Sequence, residues 1–220
     1  MNDSSASKRV GRDGLRAWVL GGSLMLASVG VDVIASQTAG TIFTSWIGWL
    51  GALAWAASLA VFALGIRGEG SVVGRRPLGV AALLVAALVP LVFRIVWTFF
   101  AGPMLDVGGR PVSLALGYAE PLISAAALLI AVVAIARADV VPRRVRWVPA
   151  VVLACNVGMR VLIELVGLTA PMLGQQVLVP LFAFAGLVGT AGSLLLGILA
   201  VVSGSRREPP ATVQVYPPPS

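Results

Sequence analysis

The sequence contains no histidine and a single cysteine, Cys155, and these shortages remove several classes of site. Without histidine there is no Ser–His or Cys–His catalysis, and the usual zinc and haem sites lose their imidazole ligand. One cysteine allows neither a disulfide framework nor a cluster of thiolate ligands. The sequence also lacks a P-loop and a Gly-rich dinucleotide turn. We therefore expect no metal, no cofactor and no enzymatic activity.

Charged residues are equally scarce. Only 11% of the 220 residues are charged, 58% are hydrophobic, and the mean hydropathy is +0.96. A soluble domain carries roughly 25% charged residues. Because so few charges cannot cover a water-facing surface, the composition predicts a membrane protein that contacts the lipid bilayer.

Six apolar runs are separated by short polar or turn-forming segments, one of them at Gly102-Pro103. A bilayer core about 30 Å thick needs around 20 apolar residues of helix, and backbone groups in lipid must be bonded internally. The predicted spans are 17–37, 46–66, 78–100, 118–137, 147–168 and 178–203. The sequence thus predicts an all-α, polytopic transmembrane bundle over 17–203. A basic segment, 1–16, precedes it, and a Pro-rich tail over 204–220, expected to be disordered, follows it.

The basic residues predict the orientation of these spans. All 16 except Arg94, Arg110 and Arg160 fall in the N-terminal segment, the second and fourth loops and the C-terminal tail. With an even number of spans these segments share one side of the membrane, and the positive-inside rule places that side and both termini in the cytoplasm. Topology accounts for this charge, so no nucleic-acid partner is expected.

The membrane is expected to be a bacterial plasma membrane. An alternative for the first span is a cleaved signal peptide, since a basic segment is followed by an apolar run. Asp32 interrupts that run, which favours a retained span.

A weak internal repeat relates two parts of the chain. Residues 75–105 align without gaps to residues 143–173, with identical residues at both ends. One interpretation is a repeat of three helical hairpins, an arrangement common in transporters. The other is that any helical hairpins with basic loops resemble one another, and Arg94 and Arg160 lie two positions out of register in this alignment.

Five charged residues fall inside or at the edge of the spans. Such residues are candidates for a functional site because charges in lipid are costly. By the helical rise, those in the first, third and fifth spans lie about 20–26 Å from the basic end of their helices, and the fourth span begins at the same level. The candidate ligand-binding residues are Asp32, Arg94, Glu120, Arg160 and Glu164.

Two explanations of these charges remain open. In one, they pair with each other and hold the bundle together, Asp32 with Arg94 or Arg160, and Arg160 with Glu164 four residues later. In the other, they line an outward-facing site for a small polar or anionic solute, where arginine would bind a carboxylate or phosphate.

Small residues repeat at every fourth position in two spans, beginning at Gly48 and Ala185, and predict close packing of helices. The function hypotheses are binding or transport of such a solute, an accessory subunit that packs with a membrane-protein partner or another copy, and a lipid-modifying enzyme that uses Glu120 and Glu164.

Overall fold

The computed structural model is all-helical over the residues it describes. These are residues 3–38, 43–65, 71, 73, 76–138, 146–169 and 174–205, with side chains left out at 3–15, 100–114, 168–169, 174–176 and 178. They form five helices: α1 (Asp3–Gln37), α2 (Phe43–Leu64), α3 (Pro77–Ala138), α4 (Val148–Thr169) and α5 (Gly174–Ser205). The predicted tail, 204–220, lies almost wholly outside the described residues.

Within these helices, six segments are long and apolar enough to cross a membrane. They are Arg16–Gln37, Phe43–Leu64, Pro77–Phe99, Ala115–Ala138, Val148–Gly167 and Val179–Ser205. Their number and bounds agree closely with the predicted spans, so the all-α bundle of six spans is confirmed. Large apolar side chains such as Trp46 and Leu78 are exposed on the outside, as expected for contact with lipid. The fold is consistent with a multi-pass integral membrane protein.

Helix α3 contains two of the six spans. A straight helix of its 62 residues would be about 93 Å long. A Cβ atom built on Gly79, near its start, would nevertheless lie 2.8 Å from Cβ of Ala134, near its end. The two arms, Pro77–Phe99 and Ala115–Ala138, therefore lie side by side and run in opposite directions.

The reversal of direction between these arms was predicted, and the two spans do end and begin on either side of Gly102-Pro103. Helical structure continues through this segment in α3. Gly102 and Pro103 lie between the two arms, and glycine and proline are residues at which helices bend sharply.

The helices form a closed ring in chain order. Each contacts its neighbours in sequence, and α5 returns to contact α1. In the described part of the chain, helices that are not adjacent in this ring make no close backbone contact. The ring closes at a crossing between α1 and α5, where a Cβ atom on Gly22 would lie 2.8 Å from the carbonyl oxygen of Gly197. Small residues in the last span therefore do let two backbones approach.

The hydrophobic core occupies one end of this ring. We call it the basic end, because Arg16, Arg76, Arg137 and Arg146 lie there, and we call the opposite end the far end. The buried core consists mainly of alanine with a few large side chains, and it includes Trp18, Met25, Leu59, Ala63, Leu83, Ala86, Ala131, Ile135 and Ala200. No described residue of α4 is buried, so α4 is the most loosely packed wall of the ring.

Candidate functional site: the charged cluster of the far end

All five predicted site residues lie in the far half of the ring. Asp32 is on α1, Arg94 on the first arm of α3, Glu120 at the start of its second arm, and Arg160 and Glu164 on α4. At 1.5 Å per residue, Asp32 and Arg94 are about 24–26 Å from the basic ends of their spans. In the ring order, α2 lies between α1, which carries Asp32, and α3, which carries Arg94.

Two glycines of α2 make room for Asp32 and Arg94. A Cβ atom on Gly51 would lie 3.3 Å from Cγ of Asp32, and one on Gly48 would lie 3.3 Å from Cζ of Arg94. Gly48 and Gly51 are themselves buried and are one helical turn apart. The same face of α2 therefore carries a carboxylate at one glycine and a guanidinium at the next.

Of the two arginines that the sequence offered as partners for Asp32, Arg94 is the one whose side chain lies beside the same face of α2. The pairing itself stays a prediction. No direct ion pair joins Asp32 and Arg94 in the described part of the chain, so their attraction acts across the glycine face of α2. Neither side chain is fully buried.

The guanidinium of Arg94 is held by an aromatic ring. Its Cζ atom lies 5.3 Å from the centre of the Trp49 ring, a cation–π distance. One turn further along the arm, the Thr98 hydroxyl donates a hydrogen bond of 2.7 Å to the carbonyl oxygen of Arg94. Because α2 supplies both Gly48 and Trp49, the position of the positive charge is fixed by two adjacent residues of one helix.

The remaining charges interact between the second arm of α3 and α4. Arg160 is the cation that acts on Glu120, and the Tyr118 hydroxyl donates a hydrogen bond of 3.0 Å to Oε2 of Glu164. The spacing of Arg160 and Glu164 predicted that they pair with each other. In the structure Glu164 accepts a hydrogen bond from Tyr118 of α3, and the predicted pairing of Arg160 with Glu164 stays a prediction.

Sequence reasoning missed several residues of this cluster, including Trp49, whose ring contacts Arg94. Tyr118 was not considered, although a tyrosine at the start of a span is a common polar anchor. Gly48 was assigned to a packing stripe and Gly51 was not singled out. The sequence alone does not show which face of α2 contacts α1 and α3. It therefore could not show that these two glycines leave space for charged side chains.

An open cavity of about 470 Å³ lies between Arg94 and Glu120. Its walls are completed by Ala52, Pro90, Trp97 and Thr98. Asp32, Arg160 and Glu164 lie outside this lining, so the cavity brings together two of the five predicted residues. It presents a guanidinium, which binds carboxylate or phosphate groups, opposite a carboxylate, which accepts hydrogen bonds from cationic groups.

Among the described residues, no three side chains of the types that bind metals come together. No protein-family model matches the chain, and no curated protein or solved structure is significantly similar to it. The function is therefore argued from the geometry of the ring and its cavity.

Proposed function

We propose that this protein binds a small polar or anionic solute at the far-end cavity and moves it across the membrane. The observation that carries the proposal is the open cavity with Arg94 on one wall and Glu120 on the other. A purely structural pair of charges would be expected to close on itself, since an uncompensated charge in lipid is costly. Here the two opposite charges face a shared space large enough for a small ligand.

The ring architecture supports the same proposal. Helices touch only their ring neighbours, so the middle of the bundle is not occupied by a central helix in the described residues. Binding sites of membrane transporters lie at the interface between repeated helical units, and this cavity lies where the first and second hairpins meet. In the proposed topology the basic end and both termini face the cytoplasm of a bacterial cell, and the cavity opens outward.

Access of water to the cavity is the decisive property. We would replace Thr98 by cysteine in a Cys155→Ser background and treat membrane vesicles with a membrane-impermeant thiol reagent. Thr98→Cys should react, because Thr98 lines the cavity. The matched control is Val92→Cys on the same arm, whose side chain is 53% exposed on the outside of the ring and should be shielded by lipid. Equal protection of both cysteines would show a dry, structural cluster.

Ligand binding can be tested with three probes of different charge: inorganic phosphate, acetate and glycine. A ligand at about 100 times its Kd stabilises a protein by about 2.7 kcal/mol, which raises the melting temperature measurably. The shift should disappear in Arg94→Gln or Glu120→Gln and persist in Arg137→Gln, at the basic end. A shift that survives both cavity variants would place the binding elsewhere.

A second candidate function is that of an accessory subunit. The observation that favours it is α4, which has no buried residue and presents large apolar side chains such as Val151 and Leu165. A partner membrane protein or a second copy would cover this face. Cross-linking from Val151→Cys in native membranes distinguishes a protein neighbour from lipid. Catalysis by Glu120 and Glu164 would require both carboxylates at one cavity, and only Glu120 lines this one.

A further inference from the structure

The basic end of the ring contains a second cavity, of about 410 Å³. Every span contributes to its walls, through Met25, Leu59, Leu83, Leu128, Leu153 and Leu196 among others. The walls are almost entirely apolar. This cavity lies among the core residues and is separate from the charged cavity of the far end, with which it shares no lining residue.

The lining excludes a polar occupant. A buried water needs two to four polar partners, and cavities lined by apolar side chains stay dry. The polar side chains of the lining are few, and the amide nitrogen of one of them, Asn156, already donates a hydrogen bond of 2.9 Å to the carbonyl oxygen of Val152. An ion or a sugar would lose its hydration here without replacement.

The cavity is too short for a membrane-spanning helix of a partner protein. Its lining extends furthest along α5, from Gly189 to Ser203, which is about 21 Å at the helical rise. A helix that crosses the bilayer is about 30 Å long. A single flexible hydrocarbon chain can follow such a space, and the cavity falls within the range of about 300–1,000 Å³ that is usual for ligand pockets.

Two further features of this cavity favour a lipid as its ligand: the loosely packed α4 wall and the arginines of the basic end. The α4 wall is the most loosely packed part of the ring and faces the surrounding bilayer. Three lining residues are next to or near arginines of the basic end: Trp18 follows Arg16 by two residues, Ile135 precedes Arg137 by two, and Val148 follows Arg146 by two. Arginines at this level attract anionic head groups.

We propose that the basic-end cavity holds one hydrocarbon chain of an anionic lipid, with its head group against these arginines. The chain enters beside α4. This site does not depend on the solute-binding function proposed for the far end, because the two cavities are lined by different residues and take ligands of opposite character.

The test uses the full chain in nanodiscs that contain phosphatidylglycerol with a photoreactive diazirine in one acyl chain. After irradiation, cross-linked residues are mapped by mass spectrometry. We expect labelling of cavity residues such as Leu153 and Leu196 in addition to lipid-facing residues. Labelling confined to the outside of the ring would overturn the proposal.

Filling the cavity should remove the cavity-specific label. Leu153→Trp is expected to reduce it about tenfold, which corresponds to about 1.4 kcal/mol of lost binding. The matched control is Leu162→Trp on the same helix, because Leu162 is exposed outside the ring and absent from the lining. Leu128→Trp fills the same space from the second arm of α3 and serves if Leu153→Trp does not fold, as judged by thermal unfolding. Unchanged cavity labelling in a folded filled variant would refute the site.

The head group is tested with phosphatidylcholine that carries the same photoreactive chain. Cavity labelling should be weaker with this zwitterionic lipid, and the difference should shrink as salt is added, because screening weakens the attraction of surface charges. Equal labelling by both lipids at low salt would overturn the assignment to an anionic lipid.

Discussion

The two ends of the ring are built from the same six spans, but one end is packed with apolar side chains and the other carries charged ones. At the basic end, alanine and leucine side chains fill the space between helices around a dry cavity. At the far end, the same helices carry five charged residues, two of which line an open cavity, and few large apolar side chains are buried there. The bundle is therefore held together mainly at one end and is polar at the other.

Glycine shows this contrast most clearly. Gly22 and Gly197 allow two backbones to approach at the basic end, whereas Gly48 and Gly51 leave space for the Arg94 and Asp32 side chains at the far end. In one case glycine brings helices together, and in the other it accommodates a long or charged group between helices. Spacing of small residues alone does not distinguish these two uses.

The largest expected effect concerns the sides of the membrane on which the two ends lie. Reporter fusions at Gly70, Asp139 and Ser220 should all report the cytoplasm, because the basic loops are expected there. Fusions at Thr41 and Gly108 should report the exterior. A periplasmic signal from the Ser220 fusion would contradict both the even number of spans and the outward opening of the charged cavity.

The next effect should come from the helix crossing of the basic end. Gly22→Leu places a side chain against the carbonyl oxygen of Gly197 and should destabilise the fold by about 3 kcal/mol, the upper part of the range for overpacking. The matched control is Gly30→Leu on the same helix, where nothing lies within 4 Å of a Cβ atom. Thermal unfolding in detergent compares the two. Equal melting temperatures for the two variants would contradict a close approach of α1 and α5 at Gly22.

A double-mutant cycle measures the coupling of charges at the far end. Asp32→Asn and Arg94→Gln should each destabilise the protein, and the double variant should recover part of the loss, with a coupling of about 1–2 kcal/mol. The attraction across the glycine face of α2 is the reason. The same cycle with Arg160→Gln in place of Arg94→Gln should show less coupling to Asp32. Purely additive effects would mean that the two charges act independently.

A smaller effect is expected for the aromatic ring beside Arg94. Trp49→Leu removes the cation–π contact and should cost about 0.5–1 kcal/mol. Trp46→Leu is the control, since Trp46 is 74% exposed on the same helix. If both variants unfold at the same temperature, the ring does not hold the guanidinium.

The smallest expected effect is that of Tyr118→Phe. It removes the hydrogen bond to Glu164 but keeps the ring, and the bond lies at an exposed position. Its melting temperature should fall slightly in the presence of Glu164 and not at all in a Glu164→Leu background, because leucine has no atom that can accept the hydrogen bond. A fall of equal size in both backgrounds would assign the effect to something other than this bond.

Hydropathy alone predicted the six spans within a few residues, because the bilayer requires long apolar helices wherever a chain crosses it. It also predicted the level of the five charges, since depth follows from the helical rise. The partners of those charges could not be predicted. Whether Asp32 faces Arg94 or Arg160 depends on the ring order and on how each helix is rotated, and both are set by packing between helices rather than by sequence spacing.

The helical structure between the two arms of α3 was not predicted. Glycine and proline allow sharp bends, and in a membrane protein the backbone groups between two spans can still be paired within helical turns. The internal repeat between 75–105 and 143–173 stays a prediction. Both segments begin helices after basic residues, at Pro77 and Val148.

The ring order also has a consequence for how the chain assembles. Every contact between helices joins elements that follow one another in the chain, except the one between α1 and α5. This contact closes a loop of more than 130 residues, so it bears the largest entropy of closure of any in the bundle. If the chain were truncated before α5, Gly22 and the neighbouring face of α1 would be exposed and could pack against another protein. Formation of the close crossing between Gly22 and Gly197 therefore completes the ring of helices.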